Sequence, residues 1–275
     1  MKIGVIISTY NNPAWLEKTL WGYYVQTRPA DEIIIADDGS TQETKELLDS
    51  FKSLLPIKHI WHEDRGFNKT IILNKAIVAA ESEYLIFTDQ DCIPRKNFVK
   101  IHEIYAKKGC YVAARYYYLS PEASEKITKE DILYGRIFKP SWMLKNGFDR
   151  NSKTLKLMLS EYSIITRCLD VLSKKSPTWW GCNASCWRDD IFSVNGYDNG
   201  ILYGREDYEF GLRLINNGIK PIKAGYSAIV FHLYHERPYE NAELVTKHLA
   251  YANEVKLHGV KETPNGIKEL DKIGF

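Results

Sequence analysis

Four short segments in the first third of the chain, residues 3–7, 32–36, 57–61 and 84–88, read as strands that stop at a polar patch, and 3–7 and 84–88 are continuous apolar runs. Short continuous runs of this kind read as strands buried on both faces. Between them lie stretches with helical signals. Residues 13–26 have Asn12 as a cap and Pro13 at the first helical position. Residues 41–51 are helical in pattern, and residues 69–80 place Ile72, Ala76 and Ala79 on one face. Residues 95–107 read as a further helix and 111–115 as a further strand. Such alternation predicts a mostly parallel sheet covered by helices, an α/β fold of Rossmann-like type.

In a parallel sheet the carboxyl ends of the strands share one edge, and ligands bind at that edge. The patches therefore meet. They are Ser8-Thr9-Tyr10-Asn11-Asn12, Asp37-Asp38-Gly39-Ser40, His62 to Phe67 followed by Lys69, and Asp89-Gln90-Asp91. Each alone is an ordinary turn or helix cap, since Asp, Asn, Ser and Gly end strands for local reasons. Together they supply an aromatic ring, carboxylates that can accept from a base N–H, a cation for phosphate, and oxygen ligands for a hard divalent metal. That inventory suits a nucleotide diphosphate.

The remainder is less regular. Residues 118–176 hold Pro121, Pro140 and several basic residues and show no strand period. Within them 155–172 reads as an amphipathic helix, expected to pack on the sheet or else to face a membrane or an acceptor. Residues 206–216 are helical, with Gly218 just beyond the end, 219–222 and 227–231 are strand-like, 239–257 is a long helix, and the residues from Pro264 onward read as a tail. Two histidines three apart, His232 and His235, follow a strand and could face one ion, with a dedicated zinc site as the competing reading.

Composition narrows the class. A net charge of +2 over 275 residues gives no broad nucleic-acid signature, and no apolar run reaches membrane-spanning length. The apolar start is too short for a signal peptide. Five cysteines form no framework spacing, which fits a reducing cytosol. Trp and Tyr are plentiful, at 7 and 18, as on sugar-binding surfaces but also as in cores.

The pattern resembles family 2 glycosyltransferases of the GT-A fold. The matching segments are Ile-Ile-Ser-Thr-Tyr-Asn-Asn at 6–12, Ile-Ala-Asp-Asp-Gly-Ser-Thr at 35–41, Arg-Gly-Phe-Asn-Lys and Leu-Asn-Lys-Ala within 65–76, and Phe-Thr-Asp-Gln-Asp-Cys-Ile-Pro at 87–94. Further on, Trp180-Gly181-Cys182-Asn183-Ala184-Ser185, Val194-Asn195-Gly196-Tyr197-Asp198 and Tyr203-Gly204-Arg205-Glu206-Asp207 look like the C-terminal segment of galactosyltransferases and chondroitin-type polymerases. The resemblance implies a nucleotide-sugar-binding half at 1–115, a variable helical insertion or lid at 116–177, and an acceptor-binding, metal-completing half at 178–275, all in one integrated domain.

It also implies roles. Ser8, Tyr10 and Asn11 would flank the base, Asp38 would hold uracil with Asp37 in support, and Asp89 with Gln90 would face the ribose or sugar. Asp91, His232 and His235 would bind Mn²⁺ or Mg²⁺. Asp207 would be the general base, with Glu206, Trp180 and Gly181 at the acceptor. Trp179 would border the acceptor pocket or pack in the core. The family often has Arg before the Asn of the third motif. Here that position is Leu73, so Lys69 or Arg65 must supply the diphosphate cation, and Lys69 opens a helix whose N–H groups also favour anions.

The expected function is inverting transfer from a UDP-sugar to a saccharide hydroxyl in bacterial surface polysaccharide synthesis. The expected setting is cytoplasmic, with a lipid-linked glycan at the inner membrane face as a possible acceptor by analogy. Two alternatives stand beside it. A nucleotidyltransferase would need a Gly-rich basic loop after the first strand, and Ser8-Thr9-Tyr10-Asn11 is not one. A non-catalytic carbohydrate-binding protein would not need Asp207. The absence of G-x-G-x-x-G after the first strand disfavours a dinucleotide dehydrogenase.

Overall fold

The computed structural model describes residues 1–148, 157, 163–174, 176–236 and 241–272. Ten strands are present among them: β1 (Ile3–Thr9), β2 (Glu32–Asp37), β3 (Ile57–Trp61), β4 (Tyr84–Asp89), β5 (Cys92–Pro94), β6 (Cys110–Ala113), β7 (Arg115–Tyr118), β8 (Ala184–Trp187), β9 (Lys220–Lys223) and β10 (Ile229–His232). Seven form one sheet in the order β3-β2-β1-β4-β8-β6-β9. The β3-β2-β1-β4 portion is parallel, and β8 runs antiparallel between β4 and β6. Strand β1 is buried along its whole length. Its Ile3, Val5 and Ile7 enter one core and Ile6 the other, as the two-residue period of a strand requires.

Helices cover both faces. Leu16, Leu20 and Tyr23 of the helix Pro13–Tyr24, with Leu48, Phe51, Phe98 and Val99, pack on the first face. The Asn12 side chain accepts from Trp15 N–H at 3.2 Å, so the expected cap is present. On the second face lie Ile72, Leu73, Ala76 and Ile77 of the helix Lys69–Ala79, and Phe210 and Leu214 of the helix Glu206–Asn216. Leu73 is 3% exposed, so the position where the family often carries Arg belongs here to the core.

Two expectations need correction. The strand expected at 111–115 is two strands. β6 stays in the large sheet, whereas β7 leaves it for a second sheet of order β5-β10-β7. The residues from Pro264 are not a free tail, because Asn199 N–H donates to Asn265 C=O and Ile267 packs against the second core. Of the helix expected at 155–172, Ser163–Leu172 is helical, and most of 155–162 lies outside the described residues. Short helices at Pro121–Lys126, Lys129–Leu133 and Pro140–Lys145 supply Ala123, Ile132 and Met143 to a third core. That core backs the small sheet, with Phe138 stacked on Phe231 at 4.6 Å.

Candidate active site

Parallel register assembles the polar patches. Ser8 lies beside Asp89 across β1 and β4, and Thr9 beside Asp37 across β1 and β2. Ser8 Oγ donates to Asp89 Oδ1 at 2.5 Å, and Lys69 Nζ meets the same oxygen at 2.9 Å. Burial works against the Asp89 charge, but the Lys69 ammonium and the Ser8 hydroxyl override it and hold the carboxyl below its usual range. Gln90 accepts from Tyr10 N–H at 3.2 Å and donates to Tyr10 C=O at 3.1 Å, which clamps the loop after β1 to the end of β4. Asn11 sits at φ +44° and its Oδ1 accepts from Thr41 N–H at 2.8 Å, joining the first patch to the second.

Both acidic residues at the end of β2, Asp37 and Asp38, are held by histidines of β3 and its following loop. His59 Nε2 lies 2.8 Å from Asp37 Oδ2, and His62 Nε2 lies 2.7 Å from Asp38 Oδ1. Ser40 N–H donates to Asp37 Oδ1 and Asn68 N–H to Asp38 Oδ2. The Asp37 side chain is 1% exposed and that of Asp38 is 9% exposed, so Asp38 is the more accessible of the pair. Tyr10 is half exposed on the rim, and its hydroxyl donates to Asp64 at 2.9 Å.

The second sheet brings distant residues to the D-x-D motif. Strand β5 begins right after Asp91 and pairs antiparallel with β10, so that His232 lies opposite Cys92. Leu233 N–H then donates to Asp91 C=O at 2.8 Å. His232 Nε2 stands 3.5 Å from Asp91 Oδ1, and His235 Nε2 stands 3.1 Å from Asp91 Oδ2. The other ring nitrogens, Nδ1 of His232 and of His235, lie 2.8 and 2.9 Å from the backbone carbonyls of Leu233 and Glu236. A carbonyl only accepts, so each Nδ1 carries the proton, and in the neutral ring Nε2 is an acceptor. Two such nitrogens aimed at one carboxylate make an arrangement that a cation among them would complete. Asp91, Cys92 and His232 also offer ligand atoms within 4.8 Å of one another. The carboxylate and imidazole donors fit a divalent ion such as Mn²⁺.

Asp207 lies in the first turn of the helix Glu206–Asn216, whose preceding residue Arg205 is at φ +75°. Its Oδ2 accepts from Gly181 N–H at 2.8 Å, while its Oδ1 is buried and has no hydrogen-bond partner in the protein. Burial, then the charges of Glu206 and Asp89, raise the Asp207 carboxyl to about 7, against the opposing pull of Lys69. Burial also disfavours the Lys69 ammonium, yet Asp89, Asp207 and Glu206 together hold its proton well above the ordinary range. Lys69 thus links the D-x-D end of the site to Asp207. A Cβ on Gly181 would stand 2.5 Å from Asp207 Oδ1, so the glycine makes room for that carboxylate.

All the residues expected at the donor and metal sites lie along this edge or close behind it. Of the two cations considered for phosphate, Lys69 is in the site, and Arg65 is an exposed partner of Glu63 at 3.2 Å. Gly181 directly serves Asp207. Trp180 is 41% exposed beside Tyr116, whereas Trp179 is fully buried among Phe87, Tyr111 and Phe210 and donates to Tyr197 Oη. Trp179 is therefore a core residue, not a pocket border. No sequence motif singles out His59 and His62. Their pairing with Asp37 and Asp38 depends on the register of β2 against β3, which no local pattern encodes.

Residues 4–169 match the family model described as glycosyl transferase family 2. Residues 171–236 match the one described as the N-terminal domain of galactosyltransferase. Validoxylamine A glucosyltransferase of Streptomyces hygroscopicus subsp. limoneus is 27% identical, over 86% of this chain and 53% of its own length. The chain spans about half the length of the first curated relatives it matches. Among solved structures, mannosyltransferase PcManGT from Pyrobaculum calidifontis, in complex with GDP-Man and Mn²⁺, superposes with a TM-score of 0.61 at 18% identity, covering 94% of this chain and 69% of that one. Residues 1–349 of Staphylococcus aureus TarS in complex with UDP-GlcNAc give a TM-score of 0.60 at 17% identity, covering 94% and 69%. These likenesses establish a GT-A fold, and the family match spans more than half of the chain, which therefore belongs to glycosyl transferase family 2.

Proposed function

We propose that this protein is an inverting, metal-dependent glycosyltransferase that moves a sugar from a UDP-sugar to a saccharide hydroxyl, in the assembly of a bacterial surface polysaccharide. The observation that carries the reading is Asp207. Its buried, unpartnered Oδ1 and its carboxyl near 7 suit a group that takes a proton at neutral pH. It shares Lys69 with the D-x-D motif, so proton acceptor and donor edge belong to one electrostatic unit.

Asp91, His232 and His235 would hold the divalent ion, which when bound neutralises diphosphate charge as the leaving group departs. Asp38, backed by His62, would accept from the base, with Asp37 behind it and Ser8, Tyr10 and Asn11 alongside. Lys69, Asp89 and Gln90 would orient the diphosphate and sugar. Glu206, Trp180 and the Gly181 loop would line the acceptor side. Inversion follows when Asp207 removes the hydroxyl proton as that oxygen attacks the anomeric carbon, and the nucleoside diphosphate leaves from the opposite face. The reading places the protein at the cytoplasmic membrane face, with a lipid-linked glycan as acceptor. Among the described residues no helix is long and apolar enough to cross a membrane.

UDP release tests the donor and metal assignments. Purified protein is incubated with a panel of UDP-sugars and with GDP-mannose, with Mn²⁺ and with EDTA. Turnover of one UDP-sugar, abolished by EDTA and restored by Mn²⁺ or Mg²⁺, is expected. Turnover of GDP-mannose alone would overturn the base assignment, and turnover that is indifferent to EDTA would overturn the metal.

A further inference from the structure

The helix Ser163–Leu172 is turned inside out. Ile164, Cys168 and Val171 recur at spacings of four and three and so form one stripe, with Ile165 and Leu172 on its flank. Ile164, Val171 and Leu172 are 78%, 81% and 75% exposed, Ile165 is 38% exposed, and Cys168 is exposed. Two polar residues face the protein instead. Thr166 and Asp170 are buried, and Asp170 accepts from Tyr226 N–H at 2.8 Å and from Ser227 Oγ at 2.6 Å. These bonds fix the helix with its apolar face outward. Contiguous exposed apolar surface marks a membrane or protein contact.

Charge selects between the two. Arg115 Nη2 and Lys223 Nζ bond Ser173, just past the end of the helix, at 3.4 and 2.6 Å. Arg167 lies exposed on the helix and Lys174 just beyond it. An apolar stripe set in basic surroundings matches the interface of an anionic bilayer, where acyl chains accept the stripe and headgroups the cations. The helix also borders the acceptor side, since Asp170 and Ser173 line a cleft with Trp180, Arg115, Lys223 and Tyr226.

We propose that the helix Ser163–Leu172 lies flat on an anionic lipid bilayer and brings the Trp180 cleft to the membrane surface. The delivery of a lipid-linked acceptor to that cleft rests on the function proposed above, whereas the docking itself does not. Cys168 gives a direct test, because the other four cysteines are buried. Protein labelled there with an environment-sensitive fluorophore is mixed with vesicles of phosphatidylcholine alone or with phosphatidylglycerol added. A blue shift with the anionic vesicles, weakened by high salt and small with phosphatidylcholine alone, is expected. The double variant Ile164→Glu/Val171→Glu should lower the partition coefficient about tenfold or more. Both side chains are exposed, so the variant should melt like the parent and keep its UDP release with a soluble acceptor. No shift with anionic vesicles would overturn the proposal. A shift that rises with protein concentration without lipid would also overturn it, because the face would then belong to a second copy of the chain.

Discussion

Asp207 owes its character to three neighbours far from it in sequence. Gly181 holds one oxygen, Lys69 opposes the rise in its pKa, and Asp89 adds to the rise alongside adjacent Glu206. An acid whose proton is held to about 7 can accept a substrate proton only above that pH. The kcat profile should therefore fall on the acid side with a midpoint near 7. Lys69→Met removes a charge that favours the carboxylate, so the midpoint should move up while kcat/KM falls. A midpoint left in place would separate Lys69 from Asp207. Gly181→Ala should cost one to two orders of magnitude in kcat, on the order of what misplacing a catalytic group costs, with donor KM little changed. At this scale the sequence was partly legible. Glu206-Asp207 stood out through its flanking motifs, but the burial that raises the Asp207 carboxyl and the pairing of His59 and His62 with Asp37 and Asp38 arise only in the folded chain.

Among the elements, β5 and β10 bring Asp91, His232 and His235 together. Their antiparallel register sets His232 opposite Cys92, and the bond from Leu233 N–H to Asp91 C=O fixes the turn that presents His235. Replacing His232 or His235 with Ala should weaken Mn²⁺ activation by at least about tenfold, measured as the metal concentration that gives half-maximal UDP release. Asp38→Asn should instead raise the donor KM and leave that concentration unchanged. Strands β1, β2 and β4 were readable because burial on both faces demands unbroken apolar runs. β8 was not, since Ala184-Ser185-Cys186-Trp187 has no run and its Ser185 is satisfied internally by Tyr84 and His102. The split between β6 and β7 was hidden for a similar reason. An apolar and aromatic stretch does not say which of two sheets will receive it.

Across the whole molecule, the family motifs divide between chemistry and assembly. Asn74 is fully buried and bonds Tyr197 through both its N–H and its C=O, each at 2.8 Å, and also Asn199. A Cβ on Gly196, which sits at φ +69°, would stand 2.3 Å from Asn74 Oδ1. Asn195 then holds Thr263 C=O, Lys268 N–H and the Glu269 carboxylate, which is why the C-terminal residues dock. Asn74→Ala should destabilise the fold by about 2–3 kcal/mol through unsatisfied buried backbone groups, seen as a lower denaturation midpoint. Residues 264–267 read as a tail because their partners lie far earlier in the chain and their own composition is that of a turn. The central claim is that Asp207 accepts the acceptor proton at a site whose donor edge is built independently by the strand ends. Single-turnover transfer by Asp207→Asn, with UDP-sugar affinity measured in parallel, tests this most directly. The expected result is a fall in transfer of about 10²–10⁴-fold with donor affinity near that of the parent. Transfer at close to the parental rate would contradict it.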